Sequence, residues 1–160
     1  MSVDRDWSLR AATPQDAEWL ADLKAAAMRP DLERLGRWDH GRARARFLET
    51  YVPSTTYIIV LENEDVGCVT VRPEPDAWWI EHFYLWPRVQ GRGIGGQVLQ
   101  HAMATHRDGR PFMLAMMRDS PARRLYERHG FTYDYDDRNG VDQIFRRSGD
   151  AAAASASRNH

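Results

Sequence analysis

A chain of 160 residues, 42% hydrophobic and 28% charged, fits one globular domain large enough to hold a core without a disulfide or a structural metal. The formal net charge of −1 excludes a surface dominated by positive charge, and with it broad electrostatic binding of nucleic acid or an anionic membrane. Cys68 is the single cysteine, which excludes an intrachain disulfide and a thiolate zinc cluster. In the apolar run of residues 66–71 it reads as a buried structural thiol. Residues 1–10 are charged and lack the apolar core of a signal peptide, and no stretch approaches the ~20 apolar residues of a membrane span. The expectation is a cytoplasmic protein, monomer or homodimer, without nucleic-acid or membrane partners.

Trp7 to Ala11 can form a short first strand. Thr13 then caps a helix, with Pro14 at its first position and Asp16 placed to favour the helix dipole. Leu20, Leu23 and Ala27 recur at helical spacing, and Arg29-Pro30 should end the run. Residues 35–38 suggest a turn carrying Trp38. Asp39 caps a second helix through Phe47 and Leu48 that stops before Pro53. Its basic run, Arg42, Arg44 and Arg46, is read as a solvated helix face.

Strands follow. Thr56 to Leu61 and residues 66–72 form a hairpin around a turn at residues 62–65, closed by Pro73 and Pro75. Ala77 to Leu85 is an aromatic-rich strand. After Pro87 and a glycine cluster comes a helix with the stripe Ile94, Val98, Leu99, Ala102 and Met103, ending at Asp108-Gly109. Residues 111–117 are a short buried strand. Ser120 and Pro121 open a helix with Leu125, Tyr126 and His129 on one face, and Gly130 terminates it. Residues 131–135 and 143–146 pair around Arg138-Asn139-Gly140. The domain therefore covers residues 1–147 as a mixed α/β fold, and the Ala/Ser-rich residues 148–160 are expected to be a disordered tail.

The glycine cluster is the chemical signal. Gln90-Gly91-Arg92-Gly93-Ile94-Gly95-Gly96 lies between a strand and a helix, where glycines let backbone N–H groups converge beside a positive helix terminus. Arg92 adds a cation for a phosphate. The Lys-Ser/Thr pair of a nucleoside-triphosphate loop is absent. Gly91, Gly93 and Gly96 match the dinucleotide fingerprint, but five residues separate them from their strand and too little chain remains for a doubly wound sheet. A merely flexible glycine loop is the bland alternative.

Residues 83–95, a hydrophobic strand end, Pro87 and then Gln90-Gly91-Arg92-Gly93-Ile94-Gly95, resemble the central motif of the GNAT acyltransferases. Ala122, Leu125, Tyr126, Glu127, Arg128, Gly130 and Phe131 resemble that family's second landmark, in order and at the expected distance. The likeness is strong over residues 77–132. It implies the GNAT acyl-CoA N-acyltransferase fold, a mixed, mostly antiparallel sheet flanked by helices, in which the strands at 77–85 and 111–117 splay apart to admit acyl-CoA. Pantetheine would run beside Phe83, Tyr84 and Leu85, and the pyrophosphate would rest on Gln90, Gly91, Arg92, Gly93, Ile94, Gly95 and Gly96. Asp119 stands where many members carry a cofactor-contacting Asn, and its carboxylate accepts hydrogen bonds without donating any.

The implied reaction is acetyl transfer from the cosubstrate acetyl-CoA to a primary amine of a small molecule or peptide. It needs a deprotonated amine, a stabilised oxyanion and a protonated leaving thiolate. Tyr126 resembles the family's general acid. Glu81 is the candidate general base, because it shares a strand face with Trp79, Phe83 and Leu85. A bulge in that strand would hand the role to His82, and water is the third option. Trp38, Trp78, Trp79, Tyr133 and Tyr135 are divided between an acceptor pocket and core packing. A non-catalytic acyl-CoA-binding module on the same fold is the alternative function.

Overall fold

The computed structural model of the protein describes residues 6–149. Two compact units divide them, one of residues 6–70 and 82–95, the other of residues 71–81 and 96–149. Most of the tail expected from Ser148 lies outside the described residues; Gly149 is buried, and a Cβ there would fall against the Arg110 carbonyl.

In the first unit, strand β1 (Trp7–Ala11) pairs antiparallel with β2 (Thr56–Leu61), which pairs antiparallel with β3 (Glu64–Glu74). Glu62 and Asn63, both at positive φ, make the tight turn between β2 and β3. Helix α1 (Ala17–Arg34) packs on α2 (His40–Thr50). Leu20, Leu23, Phe47, Ile58 and Cys68 form the buried centre of this unit. Arg44, from the basic run on α2, pairs with Glu18 at 2.7 Å and with Asp22, so that run helps join the two helices.

α1 does not stop at Pro30 as expected. The proline costs one intrahelical hydrogen bond, and the helix continues for another turn until Gly36, at φ +69°, reverses the chain. Arg37 N then donates to the Leu32 carbonyl at 2.7 Å and Gly36 N to that of Glu33 at 3.0 Å, a Schellman ending. At the other end the expected cap is more elaborate than a helix start. Thr13 caps a 3-10 turn (Pro14–Asp16), and the Asp16 carboxylate accepts from Thr13 N at 2.9 Å and Trp19 Nε1 at 2.8 Å. Arg10 adds two bonds at 2.9 and 3.0 Å. The Arg10 guanidinium is the main reason that Asp16, only 6% exposed, is held well below the usual carboxylate range despite its desolvation. A carboxylate depressed in the folded state contributes stability above the unfolded pKa of ~3.9 and loses it as pH falls further. Asp16→Asn is expected to lose about 2 kcal/mol at pH 7, and the gap to the parent should narrow by pH 3; urea unfolding at both pH values measures it.

The sheet carries seven strands in the order β1-β2-β3-β4-β5-β7-β6, with β4 at Ala77–Leu85, β5 at Phe112–Met117, β6 at Thr132–Asp136 and β7 at Asp142–Arg147. In the second unit β7 lies antiparallel between β5 and β6. The β4–β5 ladder is parallel and pairs Trp78 with Phe112 and Trp79 with Met113. Helix α3 (Ile94–Thr105) follows the glycine cluster, and α4 (Arg123–Arg128) follows β5. α4 starts later than expected. Ser120 Oγ accepts from Ala122 N at 3.3 Å, and the segment from Ser120 to Ala122 is a turn leading into the helix. Among the described residues no helix is long and apolar enough to cross a membrane, and no group of metal-ligating side chains gathers.

Candidate functional site

The glycine cluster is built on a firm base. A 3-10 turn (Pro87–Val89) buries Val89, and Gln90 Nε2 donates to the Leu85 carbonyl at 2.9 Å, tying the loop back to the end of β4. Gly91 and Gly93 then take φ values of +81° and +80°, which L side chains rarely adopt. No atom lies within 4 Å of a Cβ built on either, so their exposed faces are open. Arg92 between them is exposed and has no side-chain partner among the described residues. Ile94 is buried and starts α3, whose first N–H groups lack intrahelical acceptors. The result is a fixed backbone turn with a free guanidinium at the head of a 12-residue helix, arranged to receive an anion.

Immediately upstream, the second half of β4 belongs to the same unit. His82 sits at φ +43°, a left-handed residue inside a strand, so the expected alternation of faces breaks there. Its carbonyl accepts from Cys68 Sγ at 3.0 Å. The Cys68 thiol is fully buried and burial pushes it upward, in keeping with an inert structural role. The His82 ring packs edge-on to Phe47 at 4.8 Å between centroids, with Nε2 3.0 Å from Thr50 Oγ1 and Nδ1 3.4 Å from the Tyr84 hydroxyl. Tyr84 packs on the α1–α2 core. Gly67 of β3 lies so close to β4 that a Cβ there would collide with the Tyr84 carbonyl and come within 2.8 Å of Leu85.

Glu81, the preceding residue, falls in the second unit. Both its oxygens accept from Arg72: Nε at 3.1 Å to each and Nη2 at 2.9 Å to Oε1. Arg72 also pairs with Glu74 and lies 5.8 Å from the Trp79 ring centre. Arg72 thus touches both Glu81 and the Trp79 ring, a shared cation that sequence reasoning did not include. Arg72 lies nine residues upstream on another strand, and no local pattern marks it.

Tyr126 also lies in the second unit, on α4. Gly130, at φ +90°, closes that helix; Phe131 N donates to the Tyr126 carbonyl at 3.1 Å and Gly130 N to that of Glu127. The Tyr126 and Phe131 rings meet edge to face at 5.9 Å, the apolar contact that accompanies a Schellman ending. Tyr126 is half-buried, desolvation pushes its phenol up to about 12, and its hydroxyl has no hydrogen-bond partner among the described residues. Gly96, on the first turn of α3, faces the His129 ring, which would lie 3.2 Å from an added Cβ. Asp119, after β5, is exposed at φ +64°, a conformation that Asp and Asn tolerate best among side-chain residues. The turn thus explains an Asx residue at this point.

The aromatic residues divide. Trp78 is locked by Arg110 over its ring at 4.0 Å and by its Nε1 bond to Asp108 at 3.0 Å, and Trp79 packs on Ala77, Met113 and Ile144. Trp38 is covered by Arg29 at 5.0 Å. Tyr133 and Tyr135 are each 47% exposed on β6. A cavity of about 390 Å³ in the second unit, lined by Gln100, Met103, Arg128, His129 and Arg147 among others, includes none of the expected site residues.

The model of the acetyltransferase (GNAT) domain matches residues 53–133, half of the chain and both motifs, and the protein belongs to that family. No curated protein matches it in sequence. Its fold is similar to that of a PaiA N-acetyltransferase from Thermoplasma acidophilum in complex with coenzyme A, with TM-score 0.72, 16% identity, and coverage of 90% of this chain and 99% of that one. An acetyl transferase from Salmonella typhimurium that modifies the N-terminal serine of a 50S ribosomal subunit protein gives 0.61 and 23%, covering 91% and 96%. N-acetylglutamate synthase from Neisseria gonorrhoeae, complexed with coenzyme A and N-acetyl-glutamate, gives 0.67 and 20%; the match covers 92% of this chain and 36% of that longer one.

Proposed function

We propose that the protein is an N-acetyltransferase that moves an acetyl group from acetyl-CoA to a primary amine by direct attack. The observation that carries this reading is the open glycine turn, with Gly91 and Gly93 both left-handed and Arg92 unpaired among the described residues, inside the segment that matches the family. The CoA pyrophosphate would rest on Gly91–Gly96, with pantetheine beside Phe83, Tyr84 and Leu85. Two structural neighbours were solved with coenzyme A, which supports the choice of cosubstrate.

Tyr126 is proposed as the acid for the leaving thiolate. A phenol raised to about 12 keeps its proton at neutral pH until charge develops on sulfur. An ordinary thiol titrates near ~8.5, so that transfer is uphill unless the tyrosinate regains a proton promptly. The amide nitrogen must shed one at the same stage, which closes the cycle. Glu81, His82 and water are the candidate acceptors of the amine's first proton. One neighbour modifies a protein N-terminus and another is complexed with an acetylated amino acid, which supports a small-molecule or peptide amine as the acceptor.

The test is thiol release from acetyl-CoA across a panel of amines, beside thermal melting with CoA. Amine-dependent release, with a melting temperature that rises with CoA concentration, is the expected result. A melting shift without release under any amine would instead favour a non-catalytic acyl-CoA-binding module, and no shift at all would remove the cofactor assignment.

A further inference from the structure

We propose that His82 is the proton acceptor for the amine, that Thr50 of α2 fixes its tautomer, and that the Tyr84 hydroxyl relays the proton; the proposal rests on the N-acetyltransferase reading above. The argument is one of proton counting. Thr50 Oγ1 carries a single hydrogen and donates it back along its helix to the Arg46 carbonyl at 3.0 Å. Toward His82, 3.0 Å away, the Thr50 oxygen can then only accept. The imidazole must therefore carry its hydrogen on Nε2. That leaves Nδ1 bare, with the Tyr84 hydroxyl 3.4 Å away as the facing donor. The chain runs Tyr84 O–H to Nδ1, Nε2–H to Thr50, and Thr50 O–H to a helix carbonyl. Every group points in one direction, and a proton arriving at Tyr84 has a place to go.

The left-handed backbone of His82 is what turns the ring toward α2, against Phe47 and Thr50. Beside these, β3 contributes the Cys68 thiol, which donates to the His82 carbonyl, and β4 contributes the Tyr84 hydroxyl. Glu81 is differently placed, because Arg72 donors occupy both of its oxygens and protonation would break part of that ion pair.

In the proposed step the ammonium proton passes to the Tyr84 oxygen as the Tyr84 proton passes to Nδ1. This leaves a neutral amine, a neutral tyrosine and an imidazolium whose two N–H groups face oxygen atoms. The amine nitrogen bonds to the thioester carbonyl carbon, and the C–S bond breaks with its electron pair moving to sulfur. Sulfur takes one proton, the nitrogen sheds one, and the net proton remains on His82 until solvent removes it.

Two readouts test this. In ¹⁵N–¹H correlation spectra of the histidine side chains, above the imidazole's titration, His82 is expected as the Nε2–H tautomer, and Thr50→Val should mix the tautomers. Kinetically, His82→Gln should lower kcat/KM for the amine by roughly 10²-fold while acetyl-CoA affinity holds. Thr50→Val removes the acceptor that favours the charged ring, so the acidic limb of the pH–rate profile should move to lower pH, and Thr50→Ser should restore it. An Nδ1–H tautomer in the parent overturns the proposal, as does a near-parental His82→Gln beside a deep loss in Glu81→Gln. A parent with the expected tautomer but no amine-dependent thiol release overturns the acetyltransferase reading itself, a separate failure that the spectra identify.

Discussion

Gly93→Val is expected to raise the Kd for CoA by at least ~100-fold, about 2.8 kcal/mol at 1.4 kcal/mol per decade, without unfolding the domain. Two features of the loop give this result. Gly93 takes φ +80°, where a β-branched residue is strained by about 1–2 kcal/mol, a cost that a domain with roughly 5–15 kcal/mol of stability survives. A Cβ at this position meets nothing within 4 Å, so the added isopropyl group would occupy the open side of the turn, where a pyrophosphate needs to approach the backbone. Gly36 supplies a matched control. It has φ +69° and equally empty surroundings, but it ends α1 instead of lining the loop. Gly36→Val should show a comparable loss of stability and an unchanged Kd by calorimetry. Equal affinity in the two folded variants would reduce the glycine loop to a flexible connector.

Much of this arrangement is legible in the sequence because it depends on neighbours in the chain. The bounds of β4 follow from an apolar and aromatic run interrupted only by Glu81 and His82, and Gly130 marks the end of α4 because a residue that accepts positive φ closes a helix that way. The glycine loop announces itself by composition. The missed features are those that tertiary contacts decide. Helix α1 runs on through Pro30 to the left-handed Gly36, against a local signal to stop. Nothing in the letters of β4 says that its sixth residue, His82, is left-handed, so face alternation assigned Glu81 and His82 by a rule that the strand breaks at that point. Thr50 lies 32 residues from His82 and Arg72 nine from Glu81; their pairing exists only once helix and strands have packed. Asp119 is an intermediate case, since its left-handed turn explains an Asx residue but not the loss of a donor.

Tyr126→Phe should lower kcat by roughly 10²–10⁴-fold, the range for removing a general acid, while the affinity for acetyl-CoA and the fold persist. The fold should persist because what α4 uses of Tyr126 is its backbone carbonyl, which accepts from Phe131 N, and its ring, which meets Phe131 edge to face. Phenylalanine keeps both. The hydroxyl it removes has no partner among the described residues, so no buried group is left unsatisfied by the change. An independent check comes from alkaline stability. Burial raises the folded phenol to about 12 against an unfolded value near ~10. The unfolded chain therefore releases this proton first, and the parent loses stability as pH climbs from about 10 toward 12. The Phe variant lacks that linkage and should lose less over the same interval in urea unfolding. The two measurements separate the roles of the side chain. A variant with improved alkaline stability and parental turnover, with chemistry shown to be rate-limiting, would leave Tyr126 as a desolvated packing residue and place the acid elsewhere. A deep loss in kcat with unchanged acetyl-CoA binding assigns the proton on the departing sulfur to this hydroxyl.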